Sequence, residues 1–128
     1  MAYSLRAHMA DRLNLASFLP LTPVSFEILL ALAGGEQHGY AVMLDVERRT
    51  SGGISLHAGS LYRALNRLLA AGLIEELEER PDREHDDERR RYYRLSPKGV
   101  EVARGEARRL ELLVDAARQR QLLPGRPT

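Results

Sequence analysis

Apolar positions along the chain fall into helical spacing in four stretches, and into alternation in one. Thr22-Pro23 reads as an N-cap followed by proline at the first helical position, and Phe26, Ile28, Leu29, Leu30 and Leu32 follow before Gly34-Gly35 ends the helix. That helix is apolar nearly all round, which predicts burial on most sides. His38-Gly39 opens a second helix, Tyr40 to about Arg49, with Tyr40, Met43 and Leu44 at helical spacing. Thr50-Ser51-Gly52-Gly53 is a loop, and Ile54-Ser55-Leu56 is expected as a very short strand.

The third helix, 58–71, has two faces. Leu61, Leu65 and Leu68 make one apolar stripe, while Ser60, Arg63, Asn66 and Arg67 lie outward. Gly72 stops it at a C′ position. Leu73 to Arg80 and Arg89 to Leu95 then read as a hairpin in which Arg91, Tyr93 and Leu95 share a face that Ile74 or Leu77 meets. Pro81 to Glu88 form a solvated tip.

Ser96-Pro97 begins the last helix, which runs to about Gln121. Ala103, Ala107, Leu110, Val114 and Ala117 step along it as a heptad-like seam, widened by Val100 and Leu113. About 25 residues of helix span about 37 Å, more than a domain this small covers. Ala103, Ala107, Leu110, Leu113, Val114 and Ala117 are therefore expected to face the same helix of a second chain. The alternative is one amphipathic helix folded back on its own domain.

Composition narrows the class. The 128 residues are 44% hydrophobic and 29% charged, as in one soluble globular domain. There is no cysteine, hence no disulfide framework and no thiolate chemistry. Neither a run of about 20 apolar residues nor a secretory pattern is visible, so the expectation is a cytoplasmic chain without membrane contact. The net charge of +1 is low for a nucleic-acid binder, but the charges are segregated. Nine of the 18 acids lie between Glu75 and Glu88, whereas Arg89-Arg90-Arg91 follow at once. From Arg80 to Arg91 the tip is balanced, so insertion of the whole tip into a groove of DNA is disfavoured. Contact by Arg89 and Arg90 alone is favoured.

Catalysis and metal binding find no support. His85-Asp86-Asp87-Glu88 are consecutive and cannot easily converge on one ion, and no nucleophile motif is present. Gly53 to Gly59-Ser60 has neither the spacing nor the lysine of a phosphate loop. No enzyme, metal site or cofactor is expected.

The order helix, helix, helix, hairpin, long helix carries five recognisable strings. They are His38-Gly39-Tyr40, Gly59 to Leu68, Gly72-Leu73-Ile74, Arg91 to Ser96 and Lys98-Gly99. Together they resemble the PadR family of bacterial transcription regulators from about Thr22 to about Arg120. The fold expected is mainly α with a small β-hairpin (α+β), a winged helix-turn-helix with a long C-terminal dimerisation helix. The organisation expected is an arm or short helix at 1–20, the first eight residues open to being an appended tag. A DNA-binding domain at 21–96, the dimerisation helix at 97–121 and a tail at 122–128 follow. The resemblance implies a homodimer on double-stranded DNA with a palindromic operator, usually a repressor, released by a small apolar or aromatic effector. Lacking tryptophan, this chain cannot sandwich flat drugs between indoles.

Gly59, Ser60, Tyr62, Arg63, Asn66, Arg67, Arg89, Arg90 and Tyr40 are the expected DNA contacts. For Tyr62, packing against the hairpin is an equal alternative. For Tyr93, core packing is expected. An effector pocket is expected where the first and last helices meet, lined by Phe18, Phe26, Leu29, Leu30, Leu110 and Leu113. The competing readings are a winged-helix protein-interaction module and a MarR-like regulator.

Overall fold

The computed structural model describes residues 15–77 and 91–125. Among these residues four full helices, α1 (Pro23–Ala33), α2 (Gly39–Arg49), α3 (Ala58–Ala70) and α4 (Pro97–Gln119), accompany a three-stranded antiparallel sheet. Its strands β1 (Gln37–His38), β2 (Ile74–Leu77) and β3 (Tyr92–Leu95) lie in the order β1-β3-β2. The proline-marked starts behave as expected. Thr22 caps α1 by accepting from the Ser25 N–H, and Ser96 caps α4 by accepting from the Gly99 N–H. Gly72 sits at φ +77° just past the C-cap of α3, a conformation that favours glycine.

The core is the stripe of α3, Leu61, Leu65 and Leu68, closed by Ile28 and Leu29 of α1, Val42 and Val46 of α2, and Tyr93 of β3. Tyr93 is fully buried, as its place in the alternation predicts. Ile74 stands opposite Leu95 and Leu77 opposite Tyr92, whereas Tyr93 faces Glu76 across the ladder. Arg91 lies just before β3, exposed, and pairs with Glu76 at 3.5 Å.

One expectation is corrected. Ile54-Ser55-Leu56 is not a strand. Ile54 gives its N–H to the Thr50 hydroxyl at 3.0 Å, and Ile54 and Leu56 turn half-buried toward the helices. The edge of β3 is taken instead by Gln37–His38, pairing with Tyr93 and Tyr92. The Gln37 side chain helps anchor that edge by donating to the Ala31 carbonyl at 2.8 Å. The strand bounds are also shorter than expected at Ile74 and Tyr92. The outer part of the hairpin, including Arg80 and Arg89, lies outside the described residues.

The start of α4 is locked onto the end of α3. The Ser96 hydroxyl donates to the Gly72 carbonyl at 2.6 Å, the Lys98 ammonium to the Ala71 carbonyl at 3.3 Å, and the Ser96 N–H to the Leu73 carbonyl at 3.1 Å. The carbonyls of the three residues that follow α3 are thus satisfied by the start of α4, while the last turn of α3 is closed by the backbone N–H groups of Ala71, Gly72 and Leu73. Gly99 is required at this contact: a Cβ there would lie 1.8 Å from the Leu73 carbonyl oxygen.

The segment before α1 lies along α4. Phe18 sits under the Lys98 ammonium at 4.8 Å, and Leu19 lies where a Cβ at Gly105 would be 3.2 Å away. Glu106, with only 2% of its surface exposed, makes two hydrogen bonds with Arg109 at 2.6 and 2.8 Å. These bonds hold the Glu106 carboxyl below the usual carboxylate range against the opposing effect of burial, helped by the Leu21 N–H. Asp45 is lowered likewise, first by its bond to Arg49, which also joins α2 to Glu27 of α1 at 2.6 Å.

A depressed folded-state pKa contributes stability above the ordinary carboxylate value and loses it as pH falls through the folded value. Thermal melts are therefore expected to hold steady near neutrality and fall below about pH 4. Glu106→Gln should melt lower than the parent at neutral pH, and the gap should close in acid. A gap independent of pH would remove Glu106 as its source.

Candidate nucleic-acid interface

Helix α3 presents its polar side outward because its four buried residues, Leu61, Ala64, Leu65 and Leu68, all face the core. Arg63, Asn66 and Arg67 are exposed, Ser60 is half-buried, and Tyr62 keeps 38% of its surface. The sequence-predicted residues on this helix therefore share one solvent-facing arc. Its N-terminus is capped by His57, whose Nδ1 accepts from the Ser60 N–H at 3.3 Å while Nε2 lies 2.7 Å from the Ser60 hydroxyl. Helix α2 is capped the same way, His38 Nδ1 accepting from the Ala41 N–H at 3.1 Å. Sequence reading placed His38 at a helix start but assigned neither histidine as a cap. The signal was their position directly before Gly39 and Ala58.

Tyr62 reaches across to the start of α2. Its hydroxyl lies 3.2 Å from where a Cβ at Gly39 would stand, so the missing side chain of Gly39 makes room for the ring. Of the two readings for Tyr62, packing is present, against Gly39 at the start of α2, while 38% of the residue stays exposed. Tyr40, 54% exposed, lies near-parallel to the His38 ring at 6.5 Å, and Tyr92 meets His38 edge-on at 5.5 Å. Burial pushes the Tyr93 hydroxyl up, aided by the nearby Glu76 carboxylate.

The charge pattern singles out α3. Arg48, Arg49, Arg91, Arg94, Arg104, Arg108, Arg109 and Arg118 each pair with a carboxylate. Among the described arginines Arg63, Arg67 and Arg120, the last at the end of α4, pair with none, and Lys98 bonds only the Ala71 carbonyl and lies over Phe18. Arg63 extends toward the N-terminus of its helix, its guanidinium 3.7 Å from where a Cβ at Gly59 would lie. Two guanidinium groups without an acidic partner among the described residues, Arg63 reaching toward the helix N-terminus and Arg67 in the last turn of the helix, suit an anionic partner. Arg89 and Arg90 lie outside the described residues.

The model of the PadR-like transcriptional regulator family matches residues 28–104. The chain belongs to this family. That span runs from α1 into α4 and contains all of α2, α3 and the sheet. Among solved structures, a transcriptional regulator from Clostridium thermocellum is 25% identical with a TM-score of 0.61, over 75% of this chain and 87% of that one. A PadR-like regulator from Bacillus cereus shares the fold at a TM-score of 0.64 and 22% identity, over 80% of this chain and 93% of that one. A curated relative, an uncharacterised protein in a transposon of Streptomyces fradiae, is 41% identical over 80 residues. This PadR-like chain spans about a fifth of that relative's length, 21%. No helix among the described residues is long and apolar enough to cross a membrane.

The remaining expected residues of this PadR-like chain divide in two. Along α4, Ala103, Leu110 and Ala117 are half-buried, while Ala107, Leu113 and Val114 are exposed, Leu113 by 55%. The domain covers α4 beside this stripe, at Gly99, Val102 and Glu106, and past Leu110 the stripe is exposed on the single chain at Leu113 and Val114. The residues expected around an effector are dispersed in environment. Leu29 is sealed in the core, Phe18 and Phe26 are half-buried, and Leu30 and Leu113 face solvent.

Proposed function

We propose that this PadR-like regulator acts as a homodimeric repressor at a palindromic operator, with α3 entering the major groove. The observation that carries this reading is the pair Arg63 and Arg67, without acidic partners among the described residues, on the exposed arc of α3. Guanidinium groups there can take phosphate or a guanine edge bidentately, Asn66 an adenine edge, and Ser60 a phosphate at the helix N-terminus. Tyr40 and the partly exposed Tyr62 meet at the start of α2, where backbone contacts of a helix-turn-helix are made. Arg89 and Arg90 add phosphate contacts from the hairpin.

The apolar stripe of α4, with Leu113 and Val114 exposed between half-buried Leu110 and Ala117, supports pairing with a second copy. Two recognition helices then face half-sites about 34 Å apart. Repression rather than activation, and release by a small hydrophobic effector, follow from the family resemblance. The cytoplasm is the corresponding location.

The test is fluorescence anisotropy with DNA from upstream of the chain's own gene at two salt concentrations. Specific binding that collapses as salt rises is expected. Weak, sequence-blind binding at both concentrations would favour a protein-binding winged helix. The dimer is tested separately: Leu113→Glu should yield a folded monomer by sedimentation, with operator affinity reduced to that of one half-site. A dimer persisting in Leu113→Glu would move the interface off this face.

A further inference from the structure

The cap of α3 makes one bond more than capping requires. His57 Nδ1 accepts from the Ser60 N–H at 3.3 Å, which satisfies one of the orphan donors that an N-cap serves. The other ring nitrogen, Nε2, lies 2.7 Å from the Ser60 hydroxyl. The corresponding cap of α2 closes on Ala41, which has no hydroxyl, and that helix is capped all the same. The Nε2 contact therefore acts on the Ser60 side chain rather than on the helix.

The polarity of this contact follows from the first bond. A neutral imidazole carries one ring proton, and a nitrogen that accepts a hydrogen bond does not hold it. With Nδ1 accepting, the proton sits on Nε2, and Nε2 donates to the Ser60 oxygen. The hydroxyl's own proton is then turned away from the ring. Among the described residues that hydroxyl makes no other bond, so its proton is left for a partner from outside. A phosphate oxygen only accepts, and a hydroxyl meets it well only as a donor. With the ring proton on Nδ1 instead, Ser60 would donate to Nε2 and present lone pairs to the phosphate. The ring also stands close to Arg63. A Cβ at Gly59 would lie 3.4 Å from His57 and 3.7 Å from the Arg63 guanidinium, and glycine leaves that space clear.

We propose that His57 is a positioning residue for DNA binding: by donating from Nε2 it fixes the Ser60 hydroxyl as a donor toward a DNA phosphate. The proposal rests on the reading of α3 as the DNA-contacting helix.

Long-range proton–nitrogen NMR of the full chain at pH 8, where imidazole is neutral, reads the ring without DNA. His57 should carry its proton on Nε2, and Ser60→Ala should move the Nε2 resonance more than that of Nδ1. A proton on Nδ1, or a ring indifferent to Ser60→Ala, overturns the proposal.

Anisotropy with DNA from upstream of the chain's own gene reads the consequence. Ser60→Ala should weaken binding about tenfold, the scale of one hydrogen bond to a charged group. His57→Ser keeps an uncharged acceptor of a preferred cap type but has no second ring nitrogen for the Ser60 hydroxyl. It should weaken binding about threefold or more, and less than Ser60→Ala does. In the double variant the change at His57 should have no further effect, because the ring acts through the hydroxyl. This coupling decides even where serine caps less well than histidine: a loss transmitted through the helix persists in the Ser60→Ala background, and a loss transmitted through the hydroxyl vanishes there. Parental affinity in His57→Ser, or losses that add in the double variant, overturn the proposal alone. A parent chain that binds no DNA at any salt refutes the reading of α3, and the role of His57 falls with it.

Discussion

Gly99→Ala is expected to unseat α4 and lower the melting temperature by about 10 °C or more. The added methyl would lie 1.8 Å from the Leu73 carbonyl oxygen and 2.9 Å from its carbon. Both are backbone atoms with no rotamer to escape into, so either α4 or the α3–β2 junction must move. Movement also stretches the Ser96 bonds to Gly72 and Leu73. Overpacking of a closed interior costs about 1–3 kcal/mol, and the loss of buried hydrogen bonds adds about 1 kcal/mol or more. Gly105→Ala is the control. Its methyl would meet only the tip of the Leu19 side chain at 3.2 Å, which can rotate away. Alanine also gains about 0.5–1 kcal/mol over glycine inside a helix. Calorimetry should therefore separate the two variants widely; equal melting temperatures would mean that the Gly99 contact does not hold α4.

Arg63→Ala with Arg67→Ala should reduce operator binding to the level of unrelated DNA while leaving fold and dimer intact. Each arginine contact of this kind contributes about 1–3 kcal/mol, and a dimer repeats it. Arg67→Ala alone is thus expected to weaken binding by about 30-fold or more, since about 1.4 kcal/mol is a factor of ten. The salt dependence should become shallower by about one phosphate for every contact removed. Because neither residue pairs with an acid among the described residues, their removal strands no carboxylate, and the melting temperature should hold. Arg109→Ala provides the contrast: it leaves Glu106 buried without its partner and should affect stability rather than affinity. If Arg67→Ala leaves anisotropy unchanged, that residue is not part of the contact surface.

The helices were legible because their signals are local. Thr22-Pro23 and Ser96-Pro97 mark starts within two residues, Gly72 marks a stop, and Leu61, Leu65 and Leu68 repeat with the helical period. The outward arc of α3 was legible for the same reason, being what remains when the stripe is buried. Strand β1 was not. Two residues have no period, and Gln37–His38 become a strand only because Tyr92 and Tyr93, more than fifty positions away, offer a free edge. Ile54-Ser55-Leu56 alternates as well as any strand of three residues, yet a hydrogen bond to Thr50 turns it toward the helices. Glu106 sits beside the seam of α4 as an ordinary exposed acid would, and only the approach of Leu21 and Arg109 makes it interior. The pairing state of each arginine is likewise a tertiary property. Composition shows an even balance of charge, and the fold decides which cations are left over.

The bonds from Ser96 and Lys98 to the carbonyls just past α3 have a mechanical meaning. They weld the end of one helix to the beginning of another, so that α3 and α4 turn as arms of a single crank. In a dimer built on α4, the angle at which the paired helices cross then sets the distance between the two α3 helices. A change of a few degrees at that crossing is delivered, undamped, as a change in the spacing of half-sites the molecule can span.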